Sequence, residues 1–332
     1  MNKQRKWCTL SMLCGAVLLA VLLSLMYGSR PVSFGKILLA WYASGIDRYE
    51  SAIIEARLPR TVFGLLAGAA LAVSGSLMQA VTRNPIADPG ILGVNTGAAL
   101  AVVLGMSWFG ITSGMQYILF AFAGAMITAL AVYGLASLGY EGATPLKLAL
   151  AGAAASTALQ SLVNTVMLPD GQIMDRFRFW QTGSIGGASW ADIRVCAPII
   201  VLALVAAFLL SGALNVIALG DEMAAGLGIN VPLIRLASTL VGVLLCACTT
   251  AMAGPIGFVG LMIPHFIRML AGPDMRWIIP LSALAGGSAL VLFDTLGRLF
   301  GAPGELEVGV VTALIGGPVF IGIIRKVKVR EA

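Results

Sequence analysis

The chain predicts an all-α polytopic membrane fold, and three observations carry that expectation. Hydrophobic residues make up 59% of the 332 and charged residues only 11%, where a soluble domain carries about a quarter charged residues. Mean hydropathy is +0.95. Uncharged runs of the roughly 17–25 residues that a helix needs to cross a hydrocarbon core recur from end to end, without the alternating polarity of a membrane β-barrel.

Ten spans are expected, at about 7–27, 61–81, 91–110, 116–138, 146–168, 195–213, 235–253, 256–270, 277–295 and 307–324. The first lies behind Lys3, Arg5 and Lys6. A cleaved signal peptide is the competing reading of it, but the run is long enough to span and no convincing small-residue cleavage site precedes Arg30. An even number of spans puts both ends on one side. The basic starts and finishes, Lys3/Arg5/Lys6 and Arg325/Lys326/Lys328/Arg330, make that side cytoplasmic by the positive-inside rule. Three cations, Arg57, Arg60 and Arg298, then remain at outer span ends and call for a local reason. The five cysteines, at 8, 14, 196, 246 and 248, fall within or beside spans without paired spacing and read as buried helix-packing residues. No basic tract with interleaved aromatics suggests nucleic acid.

Small residues recur at spacings that let helices approach closely in lipid, as at Gly64, Gly68 and Gly75. Two stretches interrupt the apolar runs: "NPIADPGILGVNTGA" (84–98) and "AGPIGFVGLMIPH" (253–265). Non-helical backbone at membrane depth has to be buried in protein or line a cavity. Both contain Pro-Ile-x-x-x-Gly, from Pro85 to Gly90 and from Pro255 to Gly260, five spans apart. That offset suggests two inverted-related halves around a central path.

An ion-driven carrier needs ionisable groups near the bilayer centre, and the ionisable candidates, Arg268, Asp294 and Arg298, sit only near span ends. No G-x-x-x-x-G-K-[ST] phosphate loop occurs, and the soluble segments are too short for a nucleotide-binding domain. Active transport would therefore draw its energy from a partner. The longest cytoplasmic loop on this topology, 214–232, holds "ALGDEMAAGLGIN". Asp221 and Glu222 would open a short helix at the positive end of its dipole, and Gly226 and Gly228 would turn the chain before the next element. The loop reads either as a docking knob or as a solvated connector.

Six motifs identify the chain as resembling the permease subunits of the iron-siderophore and cobalamin (type II) ABC importers: "ARLPRT" (56–61), "GAALAVSGSLMQAVTRNPIADPGILGVNTGA" (68–98), "RFWQTGS" (178–184), "LGDEMAAGLG" (219–228), "GPIGFVGLMIPHFIR" (254–268) and "GELEVGVVTALIGGPVFIGIIRK" (304–326). The resemblance covers essentially the whole chain as one permease domain. It implies a dimer with an identical or homologous second permease, two cytoplasmic ATPase subunits and a periplasmic or lipid-anchored substrate-binding protein, at the bacterial inner membrane. It also implies that Leu219, Gly220, Asp221, Glu222, Ala224, Leu227 and Gly228 belong to a coupling helix seated on the ATPase. Arg57, Arg60 and Arg298 would pair with acidic residues of the binding protein, as exposed ion pairs that steer docking. Asn84 and Ile86, with Thr144, would form cytoplasmic gates. Hydrolysis lies on a separate subunit, so the chain itself is not an enzyme, and no cofactor or resident metal is expected.

The implied cargo is a ferric siderophore, with haem or cobalamin as the alternative. His265, the lone histidine, has no nearby cysteine or carboxylate in sequence to complete a metal site and reads as structural or gating. A secondary transporter and an intramembrane enzyme are the competing classes. The first lacks mid-span ionisable groups and the second lacks a paired nucleophile and base.

Overall fold

The computed structural model describes residues 3–37, 48–138 and 143–328. Among them are α1 (Lys3–Met26), α2 (Arg48–Thr82), α3 (Val94–Trp108), α4 (Gly114–Ala136), α5 (Pro145–Met167), α6 (Gly171–Gln181), α7 (Trp190–Ile217), α8 (Asp221–Gly226), α9 (Val231–Ala253), α10 (Val259–Ala271), α11 (Met275–Phe300) and α12 (Val308–Lys328), with a 3₁₀ turn at Pro89–Leu92. No strand occurs among the described residues. Seven of the helices are long and apolar enough to cross a membrane, and α3, α10 and the described part of α12 are shorter apolar helices. Each of the ten expected spans therefore corresponds to a helix, but 91–110 and 256–270 are not membrane-length ones.

The centre of the bundle is α2 against α11, with α9, α10, α7 and α1 also on α2. In their most apolar windows α2 is 78% buried and α11 67%, against 17% for α5. Small residues explain that centre. A side chain at Gly68 would collide with the backbone of Gly286 and Gly287, and one at Gly75 with the backbone of Gly260. Between helices in lipid, where apolar burial offers no advantage over acyl chains, such close approach supplies the packing energy. Ala67, Ala70 and Ala72, fully buried, continue the same seam.

The two expected interruptions are real and have the same build. Each follows a long helix, α2 or α9, and precedes a short one, α3 or α10. In the first, Asp88 caps the 3₁₀ turn by accepting from the Gly90 N–H at 2.7 Å. In the second, Phe258 sits at φ 68°, a conformation unusual outside glycine and asparagine. Its side chain packs where Gly316 of α12 leaves room, since a Cβ there would strike the Phe258 ring.

Three features differ from the sequence expectation. Helix α2 starts at Arg48, well before the expected span at 61–81, and Pro59 lies inside it. The stretch between the fifth and sixth spans folds into α6, capped by Asp170, which accepts from the N–H groups of Gln172 and Ile173. Its Phe177 is fully buried while its charged residues are exposed, an amphipathic helix that does not register as a span. Of the five cysteines, Cys196, Cys246 and Cys248 are buried as expected, but Cys8 and Cys14 are exposed on α1, only 28% of whose apolar window is covered.

Candidate functional site

Charged groups gather at the two opposite ends of the bundle. At one end α2 begins and α11 finishes. Asp294 is shared by two guanidinium groups: Arg60 donates to it at 2.7–3.1 Å, and Arg298 Nε lies 3.1 Å from it. Arg60 Nη1 reaches on to Glu305 at 2.6 Å. Arg298 also donates to the Ser24 carbonyl at 3.1 Å and to the hydroxyls of Ser24 and Thr295 at 2.8 and 3.2 Å. Among the described residues Arg57 has no carboxylate partner. It donates instead to the carbonyl oxygens of Leu25 at 2.8 Å and Arg30 at 2.6 Å, in the turn after α1.

These three cations are not exposed, as the sequence suggested, but buried within the chain. Arg57, Arg60 and Arg298 retain only 7, 8 and 2% of their surface. A charge cannot be buried without partners, and the ends of α1 and α11 provide them. With those partners in place the helix can run outward through "ARLPR" instead of starting after it. A cavity of about 220 Å³ opens here, lined by Arg30, Arg57, Arg60, Arg298 and Glu305 together with Ser29, Ile53 and Ala56. Glu305 is the exposed member of the cluster, with 39% of its side-chain surface free against 2% for Asp294. Neither acid stood out in sequence as a partner. The Asp294–Arg298 spacing of four on a helix was the signal for one pair, while Glu305 lies too far along the chain from Arg60 for any local signal.

At the other end α8 projects from the bundle. Its Ala224 is fully buried against Ile217 and Val231, while Leu219, Met223 and Leu227 keep 57–62% of their surface exposed. Asp221 opens the helix as expected, but its carboxylate turns inward to a fork of two arginines. Arg235 at the start of α9 lies 2.9 Å away, and Arg83 at the end of α2 pairs with the same acid and donates to the Ile217 carbonyl. Glu222 is exposed. Gly220 (φ 119°) and Gly228 (φ 82°) bracket the helix in conformations that favour glycine, whereas Gly226 lies within it rather than at the turn. Asn230 then caps α9 by accepting from the Leu233 N–H at 3.1 Å.

The start of α1 belongs to this same end. Lys6 pairs with Asp274 at 3.4 Å, Asn215 donates to Asp274 at 2.8 Å, and Trp7 meets Trp277 edge-on with centroids 5.5 Å apart. Burial works against the Asp274 carboxylate, but hydrogen bonds from Asn215, the Arg276 N–H and Lys6 outweigh it and hold its pKa below the ordinary value.

Between the ends the two broken segments meet. A cavity of about 440 Å³ is lined by Asp88, Gly90 and Ile91 from the first, by Gly257, Phe258 and Leu261 from the second, and by Ala149, Ala153 and Ser156 of α5. Nearby Gln79 of α2 donates to the Gly260 carbonyl at 3.0 Å and accepts from Arg268 at 2.6 Å. Of the expected gate residues, Asn84 and Ile86 are exposed on the loop leading into this cavity, Asn84 accepting from the Ile86 N–H at 3.1 Å. Thr144 is half-buried and caps α5. Among the described residues no hydrogen bond joins Thr144 to either of them. His265 is half-buried on α10, and no group of three potential metal ligands occurs among the described residues.

Membrane-length helices around a cavity lined by broken backbone, with an apolar-tipped helix projecting at one end, define a multi-pass membrane permease. The comparisons specify which kind. Residues 11–326 match the FecCD transport family. The ferric enterobactin transport system permease protein FepD of Escherichia coli is 41% identical over 93% of this chain and 92% of its own length. The Fe(3+)-citrate import system permease protein YfmD of Bacillus subtilis is 42% identical over 92% of this chain and 90% of its own. A solved inward-facing structure of a metal-chelate type ABC transporter superposes with a TM-score of 0.84 at 28% identity, covering 97% of this chain and 99% of that one. The chain belongs to the FecCD transport family.

Proposed function

We propose that this permease carries a ferric siderophore across the bacterial inner membrane, driven by ATP hydrolysis on a separate subunit docked at α8. The observation that carries the reading is α8 itself. Three large apolar side chains stand exposed here, Met223 on a six-residue helix anchored by one buried alanine and Leu219 and Leu227 on either side of it. Exposed apolar groups clustered beside a polar rim mark a protein interface. No phosphate loop occurs in the chain, so a partner bound there is the energy source. That end, with both termini, is then cytoplasmic.

Two further partners follow. A substrate-binding protein docks at the opposite end over the arginine-lined cavity, where Arg57, Arg60 and Arg298 outnumber Asp294 and Glu305 and favour an acidic surface. A second permease covers α5, whose uncovered face carries Thr157, Ser161, Asn164 and Thr165. Polar side chains in a spanning helix are costly against lipid, and they fit a path between two permeases. Asn84, Ile86 and Thr144 gate the cytoplasmic mouth of that path.

The test is reconstitution with the partner ATPase and binding protein in proteoliposomes, measuring uptake of radio-iron as ferric tris-catecholate, ferric trihydroxamate, ferric citrate or haem. ATP-dependent uptake of a siderophore complex is expected. Uptake driven by an ion gradient without ATP would reject the reading, and uptake of haem alone would correct the cargo.

A further inference from the structure

At the arginine-cluster end, α6 lies across the outer end of α3, beside the start of α4. Between them is a cavity of about 270 Å³ lined by Met106, Tyr117, Arg176, Phe179 and Trp180. Arg176, Phe179 and Trp180 lie three and four residues apart, which puts them on one face of α6, while Phe177 packs inward. Trp108 and Phe109, both about 70% exposed, lie in the α3–α4 turn just after Met106. Tryptophan and tyrosine concentrate where hydrocarbon gives way to headgroups, so the cavity is set at the membrane–water boundary.

Among the described residues, two groups here lack partners. The indole N–H of Trp180 is buried and meets no acceptor, although a buried indole N–H ordinarily finds one. Arg176 makes no ion pair among the described residues, and the two acids nearest it in sequence are otherwise engaged. Asp170 caps the helix, and Asp175 lies 3.9 Å from Arg178. A cation and an orphan N–H donor, on an apolar and aromatic floor at headgroup depth, suit an anion with acceptor oxygens and an attached apolar tail.

We propose that this cavity binds the phosphate headgroup of an anionic phospholipid, with Arg176 pairing to the phosphate, Trp180 donating to one of its oxygens, and Met106 and Phe179 against the upper acyl chain. Lipid bound there would brace α6, whose following turn is tied to two other helices by main-chain bonds, Ser184 N–H to the Ala253 carbonyl at 2.7 Å and Gly309 N–H to the Gly183 carbonyl at 2.9 Å. The site is independent of the cargo and of the ATPase.

Native mass spectrometry of the detergent-purified permease with dioleoyl phosphatidylglycerol or dioleoyl phosphatidylcholine provides the test. Selective retention of phosphatidylglycerol is expected. Arg176→Gln should lower it about fivefold, the weight of one cation near an anionic headgroup, and Trp180→Phe about threefold, the weight of one hydrogen bond. Arg176→Lys should retain it, which separates lost charge from lost fold. Arg194→Gln, which removes an exposed arginine at the start of α7, should leave it unchanged. Equal retention of the two lipids, or full retention by Arg176→Gln, would overturn the proposal. So would displacement of the lipid by millimolar glycerol phosphate, which would make this a site for a soluble anion.

Discussion

The two charged ends of this permease use the same residue types and oppose each other in construction. At one, Asp294 and the Arg60 and Arg298 guanidinium groups keep 2–10% of their side-chain surface. At the other, Asp221 keeps 45%, Arg83 39% and Arg235 15%. A buried pair resists disturbance because removing one partner strands a charge that solvent cannot reach, whereas a half-exposed pair is screened and contributes little. The first end is built to fix where α1, α2 and α11 meet. The second ties α8 to α2 and α9 through pairs that solvent reaches.

Replacement of Asp294 by alanine tests the contrast most severely. It leaves two buried arginines without their shared carboxylate and should cost about 3–5 kcal/mol, read by chemical unfolding of the purified permease. A loss under about 1 kcal/mol would show that water reaches the cluster. Gly75→Val comes next, because its side chain would press on the backbone of Gly260. About 1–3 kcal/mol of overpacking is expected from the same measurement, and a neutral result would mean that α2 and α10 part easily.

Asp221→Ala, by contrast, should change stability by less than about 1 kcal/mol while lowering ATP-driven uptake. The pair Leu219→Asp with Leu227→Asp should abolish co-purification with the ATPase without moving the unfolding midpoint. If Asp221→Ala destabilised as strongly as Asp294→Ala, the contrast between the ends would fail. The smallest effect belongs to Asp274. Its carboxyl titrates below the ordinary value of 3.8 when folded, so its contribution is present above that value and is lost as pH falls through the lower, folded one. Asp274→Asn should therefore lower the unfolding midpoint at neutral pH and cease to differ from the parent in strong acid. A difference that persisted in acid would assign the stabilisation to packing instead.

What could be read from the sequence was whatever depends on local pattern. Apolar runs of spanning length marked the helices, and Pro-Ile-x-x-x-Gly marked both places where the backbone breaks. The acids of "LGDEMAAGLG" marked the start of α8. What could not be read depends on groups distant in the chain. Arg60 looked exposed because Asp294 and Glu305, its neutralising partners, lie 234 and 245 residues away. Asp221 looked free to face a partner because Arg83, which claims it, lies 138 residues back. Helix α6 went unseen because its apolar residues cover one face of a short, charged segment, too few to register as a span.

The glycine contact between α2 and α11 bears on how such a molecule can move. Where Gly68 meets Gly286 there are no side chains between the two main chains, hence no rotamers to rearrange and no soft degree of freedom to absorb a shear. The α2–α11 pair is a stator. Any rearrangement between helices would then fall to less deeply embedded ones such as α5 rather than to this pair.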